Sequence, residues 1–115
     1  MEFINVKNSL AHQNSKVIKK VPILTDQLMS TLLYIDSDTE TPAHSHTNFD
    51  EIHYIIQGNG EITIGEEHRS ISAGMLILVP KTKPHYYSTV KDKLLVLTTG
   101  LVKGCFEERM KYNIK

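Results

Sequence analysis

The chain has 115 residues, with thirteen basic and thirteen acidic side chains and so no formal net charge. That length is one domain with one sizeable core, and the lack of a basic block removes the electrostatic footprint of a nucleic-acid binder. The longest uninterrupted apolar run, Met75 to Val79, falls far short of a bilayer span.

In chain order, MEFINVKNSLAHQNSK mixes acid, amide and basic residues where a secretory leader needs an apolar core. β-Branched and Leu-rich runs then predict strands over Lys16 to Lys20, Gln27 to Asp36, Glu51 to Gln57, Glu61 to Ile64, Glu67 to Ser72, Leu76 to Val79, His85 to Val90 and Leu94 to Thr99. Turn chemistry separates them at Gly58-Asn59-Gly60, Gly65-Glu66, Ala73-Gly74 and Pro80 to Pro84. Short strands at such regular spacing predict an all-β sandwich or barrel. Only Gly104 to Tyr112 has helical spacing, with Phe106 and Met110 on one face, and a packing lid is its expected use. Cys105 is the single cysteine, so no intrachain disulfide can form and the cytoplasm is the expected compartment.

Alternation assigns faces within Glu51 to Gln57: Glu51, His53, Ile55 and Gln57 on one side, Ile52, Tyr54 and Ile56 on the other. A half-exposed strand with the apolar trio inward explains that pattern without any site. The histidines just upstream demand more. His44 and His46 are one residue apart, so in extended chain both rings project to the same side as a pair of cis ligands for a divalent ion. Glu51 follows a turn-like segment that can return its carboxylate beside the rings. Downstream, Gly74 opens an apolar run ending at Pro80, and His85 begins the next strand.

The two sets, His44, His46, Glu51 and Gly58, then Gly74, Pro80 and His85, have the spacings H-x-H-x4-E-x6-G and G-x5-P-x4-H. In these the chain resembles the cupin superfamily over about residues 38 to 89, as a small single-domain member. The resemblance implies a double-stranded β-helix, or jelly-roll, barrel spanning about 16–100 of a single domain 1–115, with an N-terminal strand arm within 1–24 and a short C-terminal helix at 104–112. It also implies a metal held by His44, His46, Glu51 and His85. Four positions depart from the family pattern. Asp38 and Thr82 stand where glycine is frequent, Thr89 where asparagine closes the second motif, and Met75 where many relatives carry an acid.

Three imidazoles and a carboxylate suit one divalent transition metal, Fe, Mn, Ni or Zn. Four protein ligands on a six-coordinate ion leave positions for water, substrate or dioxygen. His53 shares the face of Glu51, and Tyr87 that of His85, so both are candidates to exchange protons with a substrate. A buried His–Tyr pair bonded to itself is the structural alternative. Tyr34 joins them if the Leu28, Leu32, Tyr34 face points inward. The remaining expected lining is Ile55, Ile62, Ile64, Leu76, Leu78 and Val96, with His12 and His68 on the surface. No arginine falls within the motifs, which favours a small neutral or aromatic ligand over an acidic one, unless a rim lysine such as Lys83 intervenes.

Two functions follow: a metal-dependent enzyme of oxygenase, isomerase, lyase or decarboxylase type, or a non-catalytic module that binds or senses a small molecule in the same cavity. A metal-free barrel that keeps the motif as a relic ranks behind both. The expected partners are a small-molecule ligand and a second copy of the chain, with neither nucleic acid nor membrane. The dimer is what the cupin resemblance implies, since small cupins commonly dimerise by exchanging N-terminal strands or packing sheets; Lys16 to Leu24 supplies a candidate strand and the Ile52, Tyr54, Ile56 face a candidate surface.

Overall fold

A computed structural model describes residues 2–6, 16–46 and 48–101. The expected C-terminal helix, Cys105 and His12 lie outside the described residues. The strands are β1 (Val17–Leu24), β2 (Leu28–Ile35), β3 (Glu51–Ile64), β4 (Glu67–Ser72), β5 (Leu76–Val79), β6 (His85–Ser88) and β7 (Leu94–Leu101). All pair antiparallel, in the order β1-β2-β7-β3-β4, with β5 and β6 also paired to β3. None of the described helical structure is long and apolar enough to cross a membrane.

The organising element is β3. Two strands separated by a turn at Gly58-Asn59-Gly60 were expected; a single strand of 14 residues is found. Its first half pairs with β5 and β7, and its second half with β4 and β6, so one strand serves both walls of the jelly roll. A register shift between Ile55 and Gln57 and a φ of 98° at Gly58 bend the chain at this corner. A Cβ on Gly58 would lie 1.6 Å from the Lys93 carbonyl oxygen, so the glycine permits close passage of the chain before β7 rather than reversal of β3.

β1 runs on past its expected end at Lys20 to Leu24, and its pairing slips between Lys20 and Ile23, next to Pro22, which cannot donate to a ladder. It pairs with β2 of the same chain, so the segment proposed for strand exchange is engaged within its own sheet.

The core joins Ile35, Ile55, Ile62, Ile71, Tyr87, Leu94 and Val96, with Leu33, Ile64 and Ile77 packed against it. The burial of each residue fixes which face of its strand is inside. Glu51, His53 and Ile55 are buried, whereas Ile52 and Tyr54 are exposed, the reverse of an apolar-inward half-exposed strand. On β5, Ile77 pairs with His53 and Val79 with Glu51, so Leu76 and Leu78, expected in the lining, lie on the outer face beside Tyr54 and Ile52. Ile55, Ile62 and Val96 do line the interior.

Candidate metal centre

His44 and His85 meet through their backbones. His44 N–H donates to the His85 carbonyl at 3.1 Å and His85 N–H to the His44 carbonyl at 2.9 Å, an isolated antiparallel bridge. The pairing places the two imidazole centroids 4.2 Å apart. His46, one residue removed, returns to the same side at 5.3 Å from the His44 ring and 5.7 Å from that of His85. Its carbonyl accepts the Thr82 N–H at 2.6 Å, which ties the first histidine segment to the Pro80 to Pro84 loop. Asp50 supports the same loop: its Oδ1 accepts the Lys81 N–H at 2.8 Å.

Glu51 opens β3 and brings its carboxylate beside these rings. Its Oε2 lies 3.4 Å from His46 Nε2, and its Oε1 lies 2.9 Å from His53 Nε2. Two triads of ligand atoms, each within 4.8 Å of one another, share His85: His44 with His46 and His85, and Glu51 with His53 and His85. The structure thus brings together His44, His46, Glu51, His53, His85 and Tyr87. It does not bring Tyr34 to them. Tyr34 alternates with the core-facing Leu33 and Ile35, and its side chain hydrogen-bonds Lys93 on the outer face.

The donor set fits a divalent ion, and one atom shows it most directly. His85 Nε2 is buried without a hydrogen-bond partner, whereas its Nδ1 sits 3.2 Å from the Lys83 carbonyl oxygen. A ring that donates Nδ1–H to that carbonyl presents a bare Nε2 lone pair, the arrangement that second-sphere carbonyls impose on metal-binding imidazoles. His44 repeats it more loosely, with Nδ1 at 3.4 Å from the Pro42 carbonyl oxygen. Burial, with the charge of His44, depresses His85 to about 4, so the ring is neutral near pH 7 and able to ligate. His44 is lowered too, by burial first. For Glu51, burial pushes the carboxyl up, but hydrogen bonds from His46 and His53 outweigh it and hold the group below the ordinary carboxylate range.

Behind Glu51 runs a buried polar chain. The His53 ring bridges Glu51 Oε1 through Nε2 and the Tyr87 hydroxyl through Nδ1. Burial, and then the negative charge of Glu51, raises the Tyr87 phenol, which therefore keeps its proton. With Glu51 ionised and Tyr87 protonated, the His53 tautomer that satisfies both contacts has Nε2–H donating to Glu51 and Nδ1 accepting from Tyr87.

Two residues that the sequence pattern did not single out belong here. Phe49 is buried and packs at a tilt against His46, with ring centroids 4.5 Å apart and planes at 33°; an aromatic midway between the histidine pair and the acid was the available signal. Gly100 of β7 makes room for both, because a Cβ there would lie 3.0 Å from the Phe49 ring and 3.4 Å from Glu51 Cγ. A basic group near the site comes from β1: Lys19, which pairs with the inward Leu33, helps to lower His44 by its charge. His68, expected on the surface, is exposed and contacts Glu61 and Thr63.

Known proteins agree with this architecture. The family model described as "Cupin domain" matches residues 32–100, which include His44, His46, Glu51 and His85. The curated protein SCO3923 of Streptomyces coelicolor, whose name is given as uncharacterized, is 29% identical over 75 residues, covering 64% of this chain and 70% of that protein. The structure of TT1209 from Thermus thermophilus superposes with a TM-score of 0.79 at 20% identity, over 88% of this chain and 97% of that one. The DMSP lyase DddQ from Ruegeria pomeroyi superposes with a TM-score of 0.68 at 22% identity, over 75% of this chain and 47% of that one. At such identities the structural likeness speaks for the fold and not for a shared reaction.

Proposed function

The chain belongs to the cupin family, and from that premise we propose that it is a metal-dependent enzyme acting on a small molecule bound in the barrel. The proposed ligands are His44, His46, Glu51 and His85. The observation that carries the reading is the buried, unpartnered Nε2 of His85 facing the His44 and His46 rings, since leaving such an atom bare costs about 1–3 kcal/mol unless something binds it. Two triads of candidate ligand atoms that share this one histidine add to it.

A divalent ion bound there supplies a Lewis acid that polarises a substrate oxygen or lowers the pKa of a bound water. The chain's own residues do the rest. Burial and Phe49 keep the site partly dry, and Glu51 brings the negative charge that offsets the ion. His53, held between Tyr87 and Glu51, orients the carboxylate that faces the histidines. Lyase chemistry is known on this fold in the DMSP lyase DddQ, which supports an enzyme; oxygenase, isomerase and decarboxylase types share the same requirement for an open metal position.

The test is elemental analysis of untagged protein purified without chelator, beside its His85→Ala variant. The reading expects near-stoichiometric divalent metal in the parent and little in the variant, with the β circular dichroism of both unchanged. A parent that neither carries metal nor takes any up on titration overturns it. Bound metal with no turnover across hydrolytic, lyase and oxygen-consuming screens would instead favour a binding or sensing module.

A further inference from the structure

The inner face of the sheet formed by β5, the first half of β3, β7 and β2 is not apolar throughout. In register across it, Ile77 pairs with His53, His53 with Thr98, and Thr98 with Thr31. Residues directly opposite share a face, so the two threonines continue the row that His53 begins, one step behind Glu51 and Gly100. Thr31 is 4% exposed and Thr98 7%, so both are more than nine-tenths buried.

Their hydroxyls set them apart. The other buried threonines are bound to backbone: Thr41 Oγ1 accepts the Tyr87 N–H at 2.9 Å, and the Thr89 hydroxyl donates to the Asp36 carbonyl. Thr31 and Thr98 make no side-chain hydrogen bond among the described residues. Nor are their oxygens sealed away, because the enclosed side-chain atoms without a partner are Ser30 Oγ and His85 Nε2. Both hydroxyls therefore border a space that reaches solvent. Leu33 and Ile64 mark the same space from opposite walls. Each faces inward with a paired strand on either side, and each is still only partly buried.

We infer that Thr31 and Thr98 form a polar subsite of the pocket, and that its ligand is a neutral polyhydroxylated small molecule of sugar or polyol type. The inference rests on the reading of the site as one that holds an ion and a small molecule, and it names the class of that molecule. A hydroxyl both donates and accepts, so two threonine hydroxyls match two ligand hydroxyls without any charge. Opposed residues on antiparallel strands hold their Cβ atoms about 4.5–5.5 Å apart, a gap that neighbouring hydroxyls of one ligand can bridge. Two residues along the strand separate this row from Glu51, about 7 Å, roughly the reach of a four- to six-carbon chain or ring. No carboxylate, lysine or arginine stands in the row, so a charged group would go unpaired there. Lys19 faces inward one step beyond, but it is exposed on the edge strand. A wholly apolar ligand would leave both hydroxyls bare.

Calorimetric titration of the full chain, its metal content first measured, tests this with glycerol, pentoses, hexoses and their alditols as probes. Thr31→Val and Thr98→Val keep the shape and remove the hydroxyl, whereas Thr98→Ser keeps the hydroxyl. The parent should bind at least one probe, each valine variant should weaken it about tenfold, and the serine variant should retain most of the affinity. Urea unfolding without probe gives a second readout. A hydroxyl with no partner in the fold is lost without cost, so the midpoints of both valine variants should hold or rise. A parent that binds none of the probes overturns the inference. So does a valine variant that binds as the parent does or unfolds at lower urea, since that hydroxyl would then serve the fold. Metal in a parent that binds no probe leaves the metal reading standing; probe binding by a parent without metal, lost in the valine variants, sinks that reading and keeps the subsite.

Discussion

His53 Nδ1 lies 2.5 Å from the Tyr87 hydroxyl oxygen, and the other nitrogen of the same ring is committed to Glu51. Tyr87 therefore fixes the tautomer of His53, and through it the orientation of the carboxylate that faces the histidines. All three side chains are buried, and no solvent can replace a lost partner. The Tyr87→Phe variant leaves His53 Nδ1 without a donor, at an expected cost of about 1–3 kcal/mol. Urea unfolding of the metal-free protein measures this; a midpoint unchanged at equal slope would show that the ring does not depend on the tyrosine.

Acid should loosen this site before it unfolds an ordinary surface. His85 titrates near 6.5 when the chain is unfolded and at about 4 when folded. The unfolded state thus binds more protons across that interval, and stability falls as pH drops from about 6.5 towards 4. His44 is shifted in the same direction. Glu51, held below its ordinary 4.5 by His46 and His53, stabilises the fold above that value and withdraws the contribution as pH falls further. Thermal melts of metal-free protein between pH 8 and 4 should show a decline that begins near 6.5, and the His85→Ala variant should show a shallower one. Equal slopes would mean that His85 is not the group responsible.

The clustering of the candidate ligands was legible because metal chemistry restricts residue type and spacing so tightly that His44, His46, Glu51 and His85 stand out in the text, and the fold does bring these side chains together. Their surroundings were not, and β3 shows why. Hydrophobic alternation assumes that the apolar side of a strand is the inner one, yet here the inner side must carry Glu51 and His53 while the outer carries Ile52 and Tyr54. The same inversion misplaced Leu76 and Leu78, whose neighbours Ile77 and Val79 face inward. Gly58-Asn59-Gly60 has the composition of a turn, but the glycines answer the close approach of Lys93 and Leu94, a tertiary fact that no local rule contains. Tyr34 failed for a simpler reason: strand parity sets its face, and the sequence left that parity open.

Gly100 tests how tightly the second ring of contacts holds the first. A methyl group placed there meets the Phe49 ring at 3.0 Å and Glu51 at 3.4 Å, and Phe49 is the ring on which His46 rests. Overpacking of this kind costs about 1–3 kcal/mol. The Gly100→Ala protein should stay folded by circular dichroism, melt lower, and bind a divalent probe such as Co(II) more weakly than the parent by calorimetric titration. Unaltered affinity with a lowered melting point would confine the strain to the core and detach Phe49 from the metal centre.

Asp38 and Thr82, at positions where the motif resemblance led glycine to be expected, both adopt the left-handed backbone that favours glycine. Asp38 has a φ of 52° and Thr82 a φ of 69°, the non-glycine residues with positive φ among those described. Aspartate tolerates this left-handed region, but a β-branched side chain there is strained by roughly 1–2 kcal/mol. Thr82 is held in place because its N–H reaches the His46 carbonyl at 2.6 Å, so the strained turn fastens the segment that carries His44 and His46. Replacing it by glycine relieves the clash but adds about 0.5–1 kcal/mol of unfolded-state entropy. Relief of the clash outweighs that entropy, and Thr82→Gly should raise the stability by about 0.5 kcal/mol, measured by chemical unfolding. Thr82→Ala keeps a Cβ in the same conformation and should gain little. A glycine variant less stable than the alanine variant would show that the threonine side chain itself contributes to the loop, and that the left-handed turn is not the source of the strain.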